Sequence, residues 1–202
     1  MAKKPTAAQK AAKEAEAQAA QEAKAAEAAQ AQEADAQSIF DLAVGFVLRE
    51  KIEGGYVNDP RDPGGETNFG ISKRSFPNVN MRELTRERAI AIYKEHYWDA
   101  TGCDDLPPML AVALFDCAVN QGPGIAPKLL QKALGVAADG KIGPKTRAAA
   151  ERAEPTEALA LFLGWRLRRY AFTPNAATYM RGWANRVLYL QQFLLTHIAG
   201  AE

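Results

Sequence analysis

The sequence predicts a mainly α domain, α+β in class, with a small β-hairpin or loop insert and a polar N-terminal tail in front. Three observations carry this. Residues 7–36 hold sixteen Ala among thirty, and the rest are Glu, Gln, Lys and Asp. From Ile39 onward, apolar residues recur at helical spacing in one segment after another. A single stretch rich in Gly, Pro, Asp and Asn, Tyr56–Ser72, breaks that pattern. The 202 residues allow one ordinary domain with an appendage, and 25 Lys+Arg against 24 Asp+Glu leave a net charge of +1. That balance argues against a nucleic-acid binder working by bulk charge. No run of eighteen apolar residues is present, so no membrane span and no stable membrane insertion is expected.

In the tail, residues 1–38, Ala, Glu, Gln and Lys favour a helix. No large side chain lies between Ala2 and Ser38 to bury against a partner, so a frayed helix or solvated spacer is expected. A docking or oligomerisation role with an unknown partner is the other reading. Ser38-x-x-Asp41 then opens a helix whose Ile39, Leu42, Ala43, Phe46 and Val47 share a face. It is expected to run to about Glu53, where Gly54-Gly55 supplies a left-handed ending. After the Tyr56–Ser72 insert, Thr85 caps a helix bearing Ala89, Ile90, Tyr93 and Tyr97. Pro108, Pro127 and Pro144 suit first helical turns, and Gly135 closes the second of these helices. Leu159 to Arg166 marks a longer helix, and Trp183 to His197 the last.

Charge is uneven along residues 39–202. Residues 39–140 hold eleven Lys+Arg and fourteen Asp+Glu, net −3, whereas 141–186 hold nine Lys+Arg and three Glu, net +6. A basic C-terminal lobe facing an acidic one suits an anionic polymer, although Arg on helices also simply solvates surfaces. His96 and His197 have no ligand-like neighbours in sequence. Cys103 and Cys117 lack a CxxC spacing and are expected to stay unpaired, Cys117 as a small buried residue.

The chemistry concentrates in residues 53–72. Glu53 falls in a last helical turn, where the macrodipole disfavours ionisation, and desolvation adds to that. Both push it toward the protonated form that a general acid needs near neutral pH. Eight residues separate Glu53 from Asp62 and four more separate Asp62 from Thr67, enough for a helix end, a turn and a strand to converge on one cleft. Paired carboxylates flanking a bond are the apparatus of glycoside hydrolysis. Asp62 in Asp62-Pro63-Gly64-Gly65 also reads as an ordinary turn. Asn58, Asp59, Asp62 and Glu66 offer oxygens of the kind calcium takes, but the spacing misses the EF-hand pattern, and no metal is expected.

The run Glu53-Gly-Gly-Tyr-x-Asn-Asp-Pro-x-Asp-Pro-Gly-Gly-x-Thr-Asn-Phe-Gly-Ile-Ser72 resembles the signature of glycoside hydrolase family 108, N-acetylmuramidases found as phage endolysins and bacterial secretion-activator proteins. Phe115-Asp-x-Ala-Val-Asn120-x-Gly-Pro123 resembles that family's second block. Asp139 to Thr146 resembles its peptidoglycan-binding segment, and Arg181 to Arg186 its closing block. The resemblance implies a lysozyme-like fold with a catalytic lobe over 39–105 and a helical peptidoglycan-binding lobe over 106–202. It implies that Glu53 is the catalytic acid. The Glu–Asp–Thr order is also similar to that of phage-type lysozymes, with an Asp-to-Thr gap one residue shorter here.

The expected activity is cleavage of the β-1,4 bond between N-acetylmuramic acid and N-acetylglucosamine in peptidoglycan glycan strands, without a cofactor. Candidate catalytic residues are Glu53, Asp62 and Thr67. Tyr56, Asn68, Phe69, Trp98, Asn120 and Gln121 are candidate substrate-binding residues: the rings for stacking on sugars, the amides for N-acetyl groups. Core packing for the aromatics and a helix cap for Asn120 are their plainer roles. A lytic transglycosylase acting on the same bond and a non-catalytic peptidoglycan-binding or virion protein are the alternatives. The start MAKKPTAAQK lacks the apolar stretch of a secretory signal, so synthesis in the bacterial cytoplasm and holin-like release to the wall are expected.

Overall fold

The computed structural model describes residues 18, 21–22, 24–28, 30, 39–49, 56–58, 65–174 and 176–198. The chain divides into two units, Met1–Ser38 and Ile39–Glu202. The described residues of the first are helical and exposed, as an Ala-rich polar sequence without a buried face dictates.

The second unit is helical around one short β element. Helix α1 covers residues 39–49 and buries Phe40, Ala43, Val44, Phe46, Val47 and Leu48. The rest of the helix expected to reach Glu53 lies outside the described residues. Strands β1 (Thr67–Asn68) and β2 (Ile71–Ser72) form an antiparallel hairpin with Thr67 opposite Ser72 and Asn68 opposite Ile71. Its two turn residues, Phe69 at φ 49 and Gly70 at φ 75, both lie in the left-handed region that a two-residue hairpin of matching twist demands. Val57 adds a third, minimal strand against Thr67, with reciprocal backbone hydrogen bonds of 2.8 Å.

Helix α2 (Arg86–Tyr93) starts where expected, with the Thr85 hydroxyl accepting from the Arg88 amide at 3.2 Å. It widens into a π-helical stretch, Lys94–Asp99. Helix α3 (Pro108–Gln121) is the centre of the domain: Met109 to Ala118 are all buried, as expected of a helix apolar on every side. Helices α4 (Ala126–Ala133), α5 (Pro144–Arg152) and α6 (Pro155–Ala171) each carry a proline in the first turn, which needs no amide donor there. Gly135 at φ 69 follows the end of α4, and Glu154 caps α6 by accepting from the Thr156 and Glu157 amides.

Helix α7 (Ala176–His197) begins seven residues before the expected start at Trp183. The extra turns carry little apolar periodicity. Inter-helix stacking holds them instead: Trp183 lies on Tyr170 of α6 with ring centroids 4.7 Å apart, and Tyr179 follows Trp183 at 5.7 Å.

Cys103 and Cys117 are free and fully buried, and burial pushes their thiols up to about 12 and about 11. Among the described residues no helix is long and apolar enough to cross a membrane.

Candidate active site and its supporting junction

Thr67 is the centre of the small sheet. Its backbone is bonded on one edge to Val57, it faces Ser72 on the other, and its hydroxyl donates to the Gly65 carbonyl at 3.3 Å. A half-buried hydroxyl on a strand paired on both sides is held in position, which a catalytic constellation requires. Glu53 and Asp62 lie outside the described residues.

Beside Thr67 the hairpin carries a polar cluster. The Tyr56 hydroxyl donates to Glu66 Oε1 at 2.8 Å and accepts from Arg82 Nε at 3.2 Å. The Arg82 guanidinium also lies over the Tyr56 ring, 5.5 Å from its centroid. Its hydrogen bond to Tyr56 and the nearby phenol and Glu66 charge raise the Arg82 pKa further. Glu66 enters the sequence reading only as a metal oxygen and Arg82 not at all. The hint was the position of Glu66 directly before Thr67. Among the described residues no group of three His, Cys, Asp or Glu side chains converges as a metal site would need.

Three of the expected sugar contacts are otherwise engaged. Trp98 is 1% exposed, packed edge-on against Phe40 at 5.4 Å and Phe115 at 5.6 Å, with its indole N–H donating to Asp104 at 2.6 Å. It is a core residue and no stacking platform: the π-helical turn rotates it inward, where sequence spacing places it past a helix end. Asn68 is buried too. Its amide donates to the Met81 carbonyl at 2.8 Å, tying the segment before α2 to the hairpin, so it is structural and not a substrate contact. Phe69 packs against the core while its carbonyl accepts from the Tyr93 hydroxyl at 2.9 Å. That packing holds an aromatic residue at a positive φ that such residues rarely adopt. Tyr56 stays at the surface, 38% exposed.

Asn120 and Gln121 form a separate group at the end of α3. Asn120 Oδ1 accepts from the Tyr170 hydroxyl, and Gln121 Nε2 donates to the Arg166 carbonyl at 3.3 Å. Neither is the helix cap, since Gly122 at φ 97 takes that place.

Both amides adjoin the most heavily charged buried feature of the domain. Asp116, in the middle of α3, accepts from Arg166 Nη2 of α6 at 2.7 Å and from Arg186 Nη2 of α7. Burial, the largest influence, opposes ionisation of this carboxyl, but the charges of Arg186 and Arg166 outweigh it and hold its pKa below the ordinary value. Asp116 carries no role in the sequence reading, although a carboxylate within Leu114-Phe115-Asp116-Cys117-Ala118 signals a buried partner. The two arginines come from the stretch read as basic, so part of its +6 is neutralised inside the fold.

The turn Asp139–Lys141 is organised by buried Gln131. Its amide donates to Asp139 Oδ1 at 2.7 Å and to the Lys141 carbonyl at 2.9 Å, and its oxygen accepts from the Gly140 amide at 2.8 Å. Donation from the Lys141 amide, then from Gln131, lowers the Asp139 pKa.

Comparison with known proteins fits this architecture. The family described as Glycosyl hydrolase 108 matches residues 44–122, and the one described as Predicted Peptidoglycan domain matches residues 125–188. The solved structure of Brucella abortus SagA is 34% identical, covers 79% of this chain and 95% of its own, and superimposes with a TM-score of 0.73. The chain belongs to glycosyl hydrolase family 108. No curated protein matches it. As a member of that family it is a peptidoglycan hydrolase of lysozyme-like type, and peptidoglycan is its substrate. The two matched segments meet inside one unit: Asp116 and Asn120 of the first bond Arg166, Tyr170 and Arg186 of the second. The peptidoglycan-domain match is thereby welded to the hydrolase segment.

Proposed function

We propose that this family member is an N-acetylmuramidase of endolysin type, bacteriolytic, cleaving the β-1,4 bond between N-acetylmuramic acid and N-acetylglucosamine. Glu53 protonates the glycosidic oxygen as the C1–O bond breaks. Water then adds to C1 and gives its proton to a carboxylate. Asp62 and Thr67 position that water or stabilise the oxocarbenium-like transition state. Tyr56, beside the hairpin, and the Asn120–Gln121 pair supply substrate contacts. The enzyme acts on the wall after release from the cytoplasm through a holin-like pore.

One observation carries this reading. Thr67, fourteen residues after Glu53 and five after Asp62, sits on a strand that is paired on both sides, inside the segment that matches the hydrolase family. The test is product chemistry. Mass spectrometry of a digest of purified peptidoglycan should show new reducing N-acetylmuramic acid ends. Anhydro-muramoyl ends would make the enzyme a transglycosylase, and binding without release of ends would make it a non-catalytic adaptor. Glu53→Gln should fold like the parent and lose activity by about 10²–10⁴-fold, read on a peptidoglycan zymogram.

A further inference from the structure

We propose that the groove between α4 and α6 is a binding site for the carboxylate-bearing peptide stems of peptidoglycan, a proposal that rests on the peptidoglycan reading above. The groove encloses about 260 Å³ and is lined by Lys128, Lys132, Trp165, Arg168, Arg169 and Phe172, with Ile125 and Leu129 at its base. Among the described residues no acidic side chain lines it. Among the described residues none of its four cations has a carboxylate partner, whereas Arg147 pairs with Asp105, and Arg166 and Arg186 share Asp116. The charge of this face therefore stands uncompensated, which is the electrostatic condition for holding an anion.

The cations are organised on aromatic faces. Lys132 Nζ lies 5.1 Å from the Trp165 ring centroid, and the Arg168 guanidinium lies 5.7 Å from Trp165 and 5.3 Å from Phe172. Phe172 is 78% exposed, so part of its ring remains open at the edge of the groove. Lys128 is positioned by the turn motif: a Cβ on Gly140, at φ 87, would come within 3.0 Å of its side chain. Glycine there lets the lysine stem lie across the turn. Alternating cations and rings match a short peptide that alternates free carboxylates with alanine methyl groups. The groove is sized for a few residues and lies within the segment that matches the peptidoglycan domain.

The test uses the full chain and calorimetric titration with a synthetic stem tetrapeptide bearing free carboxylates, beside its fully amidated analogue. The free acid should bind about tenfold more tightly than the amide, and added salt should erase the difference. Lys132→Gln/Arg168→Gln and Trp165→Ala should each weaken the free acid by about three- to tenfold. The exposed Arg152→Gln control should bind as the parent does. Equal affinity for acid and amide, or unchanged binding by the double variant, overturns the proposal. Glycan chains stripped of their stems keep the two readings apart. The double variant should cut them at the parental rate. A parent that cuts them but shows no carboxylate-dependent binding removes the groove alone. A parent that binds the peptide yet releases no reducing ends from any glycan removes the muramidase reading alone.

Discussion

Thr67 and Asp116 stand in two motifs of this family member, and the structure treats them in opposite ways. Around Thr67 the backbone does most of the holding, through a two-residue turn and reciprocal bonds to Val57, with the Asn68 side-chain amide reaching the Met81 carbonyl. Polar side chains such as Tyr56, Glu66 and Arg82 remain at the surface. Around Asp116 the side chains do the holding, in a fully buried ion triad that joins α3 to α6 and α7. A motif can thus be held by its backbone with polar side chains left at the surface, or can lock two segments through buried charge. Burial of its charged residues distinguishes the two.

The largest effect should come from breaking the lock. Asp116→Asn keeps the shape but removes the buried charge that Arg166 and Arg186 share. Removing one partner of a buried pair costs about 3–5 kcal/mol. The melting midpoint should fall by roughly 10 °C in a thermal melt, with α4 to α7 loosened from α3. The same residue sets an acid limit. Its folded pKa lies below the ordinary 3.8, so its contribution is complete above that value and is lost as pH falls through the folded one. Stability measured from pH 5 downward should decline more steeply in the parent than in Asp116→Asn. Parallel curves would show that other carboxylates govern acid unfolding.

Legibility in the sequence follows the same division. The Thr85 cap, the proline-opened helices and the hairpin were readable because each is a local arrangement with a local signal. The α1 face was read only in part, Phe40, Val44 and Leu48 being buried as well. The early start of α7 was not readable, because Trp183 stacks on Tyr170 of another helix and Tyr179 packs on Trp183 in turn. Nor was the inward turn of Trp98, which depends on one π-helical stretch shifting the register by a residue. Asp116 was quoted as part of a motif, yet its partners lie 50 and 70 residues away, beyond any spacing rule. The residue types of the candidate chemistry stand in order in the sequence, and Thr67 of that set lies on the small sheet. Which of the surrounding residues face substrate was not legible, and Asn68 and Trp98 both belong to the framework.

A smaller effect is expected from loosening the framework of the hairpin. Asn68→Ala deprives the buried Met81 carbonyl of its donor, which costs about 1–3 kcal/mol. Because the lost bond fixes the strand that carries Thr67, activity should fall as well, chiefly in kcat. A lower melting midpoint with unchanged kcat would mean that Thr67 holds its place without this tie.

The smallest effect should come from the polar surface of the same hairpin, and it completes the contrast with Asp116. Tyr56→Phe removes the hydroxyl that links Glu66 and Arg82 but leaves the ring beneath the guanidinium. These groups are partly or fully exposed, where hydrogen bonds and ion pairs exchange with water at little net gain. The melting midpoint should shift by no more than about 2 °C. If Tyr56 serves the glycan, KM on purified peptidoglycan should rise while kcat holds, because a binding contact common to ground and transition states affects KM alone. A parental KM would leave Tyr56 as a brace between strand and loop and move substrate contact to the Asn120–Gln121 end of α3.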